Sequence, residues 1–340
     1  MKKRITVIGL GYVGLPTLLI LSEQKKFITY GYDIDQNKIK LLKEGSSNLN
    51  EKGVDTLLKK NFRNKNLIIS NKINESEVFI ICVPSNTNKK LRQNFLPLLN
   101  SIDKIIKVLK KKDLIIIETT SEVGTTEMIQ KYIYKKKKSL FNNSYKKPSF
   151  FVAYCPERVF PGNAIFEIKN NPRIIGGINK KSNIEAENFF KSFCKKIFLT
   201  DSKIAETTKL VENAYRNVQI GFVNELANYA EKNKLNVSKI IELSNLHPRI
   251  NLLKPGIGIG GHCIPIDPYF LIKNHSKDFK LIQASIQANE NRPKIISDNL
   301  KKIIKTKKIK KTSQRQKNFF MFFFYLNLIL WFQVNINILQ

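Results

Sequence analysis

RITVIGLGYVGLPTLLILSEQKKFITYGYD, residues 4–33, decides the fold. Arg4–Gly9 is a short apolar run with β-branched residues, glycines follow at 9, 11 and 14, and Leu15–Ser22 continues with helical spacing. The stretch reads strand, tight turn, helix. A second strand, Phe27–Tyr32, ends at Asp33, 19 residues beyond Gly14. In that setting Gly9 permits the turn, Gly11 lets backbone amides approach a pyrophosphate, and Gly14 lets helix pack on strand. The helix N-terminus supplies the positive end of its dipole. Tyr12 and Val13 fill the same loop and join the three glycines and Asp33 as cofactor-binding candidates. A carboxylate at 33 accepts from a ribose 2′-hydroxyl and repels a 2′-phosphate, which favours NAD over NADP.

Further along the chain, apolar runs at Val78–Val83, Leu114–Thr119 and Phe150–Tyr154 alternate with Lys-rich helical stretches. The order is βαβαβ, which implies an α/β fold: a doubly wound parallel sheet covered on both faces. Arg173–Gly177 and Ile197–Leu199 are late strands, and this Rossmann-like domain is expected over 1–200. From Lys203 to about Asn233 the pattern becomes one long helix, with Leu210, Ala214, Val218, Phe222 and Leu226 recurring every four residues. Val237–Leu246 is a shorter helix, Asn251–Pro268 a Gly- and Pro-rich loop, and Phe279 to about Ile304 a further helix. A helical central domain is therefore expected over 201–305. Residues 306–340 form a Lys- then Phe-rich tail; its run Phe319–Phe332, FFMFFFYLNLILWF, is shorter than the roughly 20 residues a membrane span needs. Membrane association is not expected.

Composition narrows the function. In 340 residues, 42% are hydrophobic and 25% charged, which excludes global disorder. Lys and Arg number 59 against 27 Asp and Glu, a net +32 that raises nucleic-acid binding as a first thought. The lysines are spread along the chain, however, and the runs Lys135–Lys138 and Lys305–Lys311 carry no interleaved aromatic platform, so they read as solvated surface that helps recruit anionic ligands. No nucleic-acid partner is expected. Four cysteines without a CxxC pair and three histidines at no ligand spacing indicate neither a disulfide framework nor a metal site. Met1-Lys2-Lys3-Arg4 runs straight into the first strand without a secretory signal, so a cytoplasmic location is expected.

A second constellation carries the chemistry. GIGIGGHCIPID, residues 256–267, places four glycines before one cysteine, so a ligand can be brought directly against the Cys263 thiol. Cys82, Cys155 and Cys194 lie in apolar segments and read as core. His262 is either the proton acceptor for Cys263 or diverges from it, as adjacent side chains on an extended loop do. On the long helix Lys209 and Asn213 are i and i+4, projecting from one face away from the Leu210/Ala214/Val218 stripe. They read either as an ammonium and an amide at a developing oxyanion or as a solvated polar face. Glu157 follows a strand at its carboxyl end, where sheet ligands bind, or is a plain loop residue. A dinucleotide site together with an exposed thiol limits the reaction. Once hydride leaves an alcohol for NAD, a thiolate can add to the aldehyde; the thiohemiacetal loses a second hydride, and water cleaves the thioester to an acid.

Five blocks carry a resemblance: VIGLGYVGLP; ETTSEVGTT from Glu118; YCPERVFPG from Tyr154; AETTKLVENAYRNVQIGFVNE from Ala205; and GGHCIPIDPYF from Gly260. Over roughly residues 1–305 the chain resembles the UDP-glucose/GDP-mannose dehydrogenase family, two-step oxidases that turn a nucleotide sugar's 6-CH2OH into a carboxylate. His247-Pro-Arg249 leading into KPGIGIGGHCIPIDPYF is most similar to the branch acting on UDP-N-acetyl-D-mannosamine, for surface polysaccharide synthesis. UDP-glucose or UDP-N-acetylglucosamine oxidation is the alternative. The resemblance implies Cys263 as nucleophile, Lys209 and Asn213 as active-site amine and amide, Asp267 as the carboxylate of the water step, Thr120 ordering that water, and Glu157 beside the reacting carbon. Arg158, Lys209, Asn213, Arg249 and Gly260 are implied on the substrate, and Thr87 and Thr120 on NAD. A homodimer built by the long helix is implied as well. Family members continue into a second Rossmann-like domain that grips the UDP. The Phe-rich tail stands in its place, so the expectation is a truncated or frameshifted chain that keeps NAD binding with weak or no turnover, an inactive remnant being the limiting case.

Overall fold

The computed structural model describes residues 2–63, 66–85, 87, 92–159, 162–261, 263–273, 275 and 277–306; the Phe-rich stretch 319–332, most of Lys305–Lys311 and His262 lie outside the described residues. The chain divides into two units, Met1–Ser85 with Gln93–Lys209, and Asn86–Arg92 with Leu210–Gln340.

The first unit runs β1 (Lys3–Ile8), α1 (Gly14–Ser22), β2 (Phe27–Tyr32), α2 (Gln36–Lys43), α3 (Val54–Arg63), β3 (Leu67–Ser70), β4 (Val78–Ile81), α4 (Leu96–Val108), β5 (Leu114–Ile117), α5 (Thr125–Lys136), β6 (Phe151–Tyr154), α6 (Ala164–Asn170), β7 (Arg173–Gly177), α7 (Lys180–Phe190) and β8 (Ile197–Asp201). Its sheet has the order β3-β2-β1-β4-β5-β6-β7-β8. Strands β3 to β6 are parallel, the doubly wound arrangement expected. The central strands are apolar at every position because both faces are covered. Val78, Ile80, Leu114 and Ile116 pack into one core layer, and Phe79, Ile81, Ile115 and Ile117 into the other. Each such side chain contributes about 1.5–3 kcal/mol of burial.

Beyond β6 the structure departs from a wholly parallel sheet. β7 pairs antiparallel with β6, and β8 follows β7 in parallel. A parallel successor would require residues 155–172 to cross a face of the sheet. An antiparallel one lets them stay at the carboxyl edge, where β7 begins. Arg173, the first residue of β7, therefore enters at the edge where β5 and β6 end.

α8 (Ser202–Lys232) is a 31-residue helix that passes from the first unit into the second, where it is joined by α9 (Val237–Ser244), α10 (Asp267–Ile272) and α11 (Lys280–Thr306). Leu210, Ala214, Phe270 and Leu271 form the second unit's core cluster. The expected four-residue stripe does not hold along α8: Leu210 and Ala214 are buried, but Phe222 is 55% exposed. A four-residue step overshoots one turn by about 40°, so the stripe drifts off the buried side within three steps. Amides replace it: Asn213, Asn217 and Asn224 are buried. Asn213 thus lies on the covered side with Leu210 and Ala214, not away from them. No helix among the described residues is long and apolar enough to cross a membrane.

The three glycines of the first loop have different structural duties. Gly9 has φ +89°, and a Cβ on Gly14 would lie 1.8 Å from the Gly9 carbonyl oxygen, whereas a Cβ on Gly11 would meet nothing within 4 Å. Gly14→Ala is expected to cost roughly 1–3 kcal/mol in urea unfolding, as overpacking does, while Gly11→Ala leaves stability within about 0.5 kcal/mol and weakens NAD binding by filling the open cradle. Equal stability losses for both would contradict this assignment.

Candidate active site

The glycine loop is organised by Asp33. Its Oδ2 accepts from the Leu10 amide at 2.9 Å and from Lys38 Nζ at 2.8 Å, and its Oδ1 accepts from the Asp35 amide at 3.0 Å. Burial works to raise the carboxyl's pKa; the Lys38 ammonium and the two amides outweigh it and hold the group below the usual carboxylate range. The charge is therefore fixed at the end of β2. α1 opens at Val13 without a side-chain cap; the Leu15 amide turns back onto the Gly11 carbonyl at 3.1 Å and Pro16 has no N–H, so the donors beside the open space at Gly11 are the amides of the loop that precedes them. Open space at Gly11, the loop amides and a fixed carboxylate suit NAD, whose pyrophosphate would lie at the helix start and whose ribose hydroxyl would reach Asp33. Tyr12 is half exposed, and Thr87, assigned to the second unit, is half-buried.

At the carboxyl edge of the sheet the structure assembles a charge cluster of which sequence analysis supplied one member, Glu157. Arg173 Nη1 donates to Glu118 Oε1 at 2.9 Å, and Arg173 Nη2 lies 2.5 Å from Glu157 Oε2; all three side chains are at most 5% exposed. Glu157 Oε1 also accepts from the Arg158 amide at 2.8 Å. One guanidinium faces two carboxyls in a dry site. Burial, reinforced by Glu157, pushes Glu118 up to about 7 against the pull of Arg173. Cys82 donates its S–H to Glu118 Oε2 at 3.2 Å, and burial raises its pKa well above normal; burial raises Cys155 and Cys194 as well. A raised pKa favours the protonated thiol at all three. The available signals for Glu118 and Arg173 were weak: an acid at the carboxyl end of β5 heading ETTSEVGTT, and a lone arginine opening an otherwise apolar strand.

The neighbouring loops are held by carboxylates reaching in from other elements. Glu206 on α8 accepts from the amides of Gly124 and Thr126 at 2.5 and 2.7 Å and from the Thr126 hydroxyl at 2.6 Å, capping α5. Glu51 accepts from the Gly162 and Ala164 amides at 2.7 and 3.2 Å, securing the end of the loop that carries Glu157 and Arg158. Thr120, half-buried, has its carbonyl bonded by Gln93 Nε2 at 3.3 Å. The Arg158 guanidinium donates to the Pro172 carbonyl. Lys209, half-buried, follows Glu206 by one turn of α8.

In the second unit Cys263 is exposed, alone among the four cysteines. It precedes α10, whose first residue, Asp267, is 2% exposed and accepts from Asn213 Nδ2 at 2.6 Å. The Asp267 amide donates to the Cys263 carbonyl at 2.8 Å, so thiol and carboxylate share one helical turn. Gly260 and Arg249 are exposed, and the Arg249 amide donates to His247 Nδ1 at 3.3 Å. The structure thus brings together Cys263, Asp267 and Asn213 in one unit, and Asp33 with the glycine loop in the other.

Comparison with known proteins gives a consistent picture. The NAD binding domain of the UDP-glucose/GDP-mannose dehydrogenase family matches residues 3–194, and that family's central domain matches residues 203–291. The chain is 43% identical over 309 residues to a UDP-N-acetyl-D-mannosamine dehydrogenase of Methanocaldococcus jannaschii, covering 89% of this chain and 69% of that protein. It is 38% identical over 306 residues to a Campylobacter jejuni enzyme of the same name, covering 89% and 75%. Among solved structures, the UDP-D-ManNAc dehydrogenase of Pyrococcus horikoshii superposes with a TM-score of 0.85 at 37% identity, covering 91% of this chain and 73% of that one.

The charge cluster yields a pH signature. Glu118 has its pKa raised from 4.5 to about 7, so between those values the folded chain binds more protons than the unfolded chain and stability falls as pH rises. Glu118→Gln should flatten that fall, narrowing the difference between urea stabilities at pH 5 and 7.5 by roughly 1–3 kcal/mol. An unchanged pH slope in the variant would show that Glu118 does not hold the proton.

Proposed function

The chain belongs to the UDP-glucose/GDP-mannose dehydrogenase family, and from that premise we propose that it oxidises the 6-hydroxymethyl group of UDP-N-acetyl-D-mannosamine to the carboxylate of UDP-N-acetyl-D-mannosaminuronate for surface polysaccharide synthesis. The observation that carries the proposal is the exposed Cys263 on the same turn as the buried Asp267, whose carboxylate accepts from the Asn213 amide of α8, in a chain whose other unit is an NAD-binding domain. The choice of sugar rests on the relatives that share 38–43% of their aligned residues with it.

NAD would be held by Gly9, Gly11, Tyr12, Val13, Gly14, Asp33, Thr87 and Thr120 and would accept one hydride, a second NAD taking its place to accept the other. The Cys263 thiolate adds to C6 of the aldehyde, forming the C–S bond and an oxyanion. Lys209 and the second N–H of Asn213 stabilise that oxyanion, since the first N–H is committed to Asp267. After the second oxidation the sulfur is held in a thioester. Asp267 takes a proton from water as it attacks the thioester carbon, with Thr120 ordering the water; the C–S bond breaks and the thiolate returns. The family resemblance assigns Glu157 to the reacting carbon and Arg158, Arg249 and Gly260 to the nucleotide sugar.

A cytoplasmic homodimer through α8 belongs to the same proposal. Val211, Tyr215, Phe222 and Tyr229 are 47–62% exposed, and at 100° per residue they return to within about 40° of one line along the helix. Such a stripe suits a second copy of itself.

Two measurements test the proposal. With UDP-N-acetyl-D-mannosamine limiting, two NADH should form per sugar, none with Cys263→Ala, and kcat/KM for UDP-glucose and UDP-N-acetylglucosamine should be at least about tenfold lower. One NADH per sugar, or turnover by Cys263→Ala, would overturn it. Phe222→Asp should shift the light-scattering mass from dimer to monomer; a persisting dimer would place the interface elsewhere.

A further inference from the structure

A glycine-rich loop cannot place a thiol by itself, because each glycine adds backbone freedom that must be removed from outside. Gly256, Gly260, Gly261 and Cys263 are exposed, so that restraint does not come from burial of the loop. It comes from the helices beneath. Where α8 meets α11, Asn224 Nδ2 donates to Asn289 Oδ1 at 3.1 Å, and Asn289 Nδ2 donates to the carbonyl and side-chain oxygens of Asn217 at 2.9 and 3.2 Å. Ser285 Oγ donates to Asn217 Oδ1 at 3.0 Å. All four residues are buried. The approach is close because Gly221 stands between the two α8 amides: a Cβ there would lie 3.2 Å from Ser285 Cβ and 3.3 Å from Asn289 Nδ2.

Both ends of this network leave for the loop. Asn224 Oδ1 accepts from the Gly256 amide at 2.9 Å, and Asn217 Nδ2 donates to the Ile264 carbonyl at 3.2 Å. Arg292 Nε adds a bond to the Gly256 carbonyl at 3.1 Å, and Gly258 rests on Pro293, where a Cβ would come within 3.1 Å of the ring. Gly256 and Ile264 bracket the segment that ends at Cys263.

We propose that Asn217, Asn224 and Asn289 are positioning residues, a buried amide ladder that clamps the Cys263 loop at Gly256 and Ile264 and so sets where the nucleophile stands. Amides suit this task better than apolar side chains. An apolar helix contact tolerates a small slide, whereas shifting a buried amide ladder strands donors and acceptors that nothing else can satisfy. Asn289 is the keystone: it acts on the loop through Asn217 and Asn224, joining the two anchors across α11. Its effect on turnover rests on Cys263 being the nucleophile; its effect on loop order does not.

Asn289→Leu, close in volume and compatible with a helix, tests the ladder, and Arg292→Met tests its outer end should the first variant fail to fold. Amide hydrogen exchange over 256–264 should rise about tenfold or more in the variant while exchange in α8 and α11 stays as in the wild type. With UDP-N-acetyl-D-mannosamine, kcat should fall about 10- to 100-fold, with KM and NAD affinity within about twofold. Loop exchange equal to wild type, or helix exchange rising together with that of the loop in the folded variant, would overturn the proposal. If the wild-type chain makes no NADH, the functional reading fails while the exchange measurement still decides the clamp.

Discussion

A buried carboxylate or amide that bonds the backbone of a loop from a neighbouring element is the interaction on which this structure depends. Asp33 holds the Leu10 amide of the dinucleotide loop, Glu206 the amides at the start of α5, Glu51 the end of the Glu157 loop, and Asn224 and Asn217 the two ends of the cysteine loop. Chemistry needs irregular backbone, since a strand or helix has its polar groups committed and its side chains in fixed rows. Irregular backbone in turn leaves amides and carbonyls that cost about 1–3 kcal/mol each if buried without partners. A single polar side chain from an adjacent element satisfies them and fixes the loop at the same time. Bonds to ionised carboxylates are the stronger ones, at roughly 1.5–3 kcal/mol each.

The reversal of chain direction at β7 serves the same end. It keeps residues 155–172 at the carboxyl edge and delivers Arg173 there, where one guanidinium meets Glu118 and Glu157. Two carboxyls cannot both be ionised cheaply against one cation in a dry site, and burial beside Glu157 raises the Glu118 pKa to about 7. Glu157 is thereby held by an arginine whose own position is set by the strand it opens. Burial raises the pKa of Cys82, Cys155 and Cys194, whereas Cys263 is the exposed thiol of the four.

The parts of this arrangement written in local pattern were legible in sequence. Glycines at 9, 11 and 14 between an apolar strand and a helix, with an acid at the end of the next strand, have few physical solutions, and the central strands are apolar at every position because both faces are covered. The long helix was legible in extent but not in facing. Counting every fourth residue put Phe222 inside and Asn213 outside, the reverse of the structure, because buried asparagines read as polar surface until their partners on α10 and α11 are known. β3, only four residues, and the antiparallel pairing of β7 depend on long-range contacts that no window of sequence contains. Glu118 and Arg173 were missed for the same reason: 55 positions separate two residues that form one ion pair.

Two successive oxidations at one carbon require the Cys263 sulfur to bond to the sugar during turnover. Cys263→Ser replaces a good leaving group with a poor one, so an acyl group passed to the side chain should remain as an ester. Intact-mass and peptide mass spectrometry of Cys263→Ser incubated with UDP-N-acetyl-D-mannosamine and NAD measures this directly. An adduct of the nucleotide sugar acid is expected on the peptide containing residue 263. An unmodified protein after NADH has formed, or an adduct confined to another residue, would contradict it.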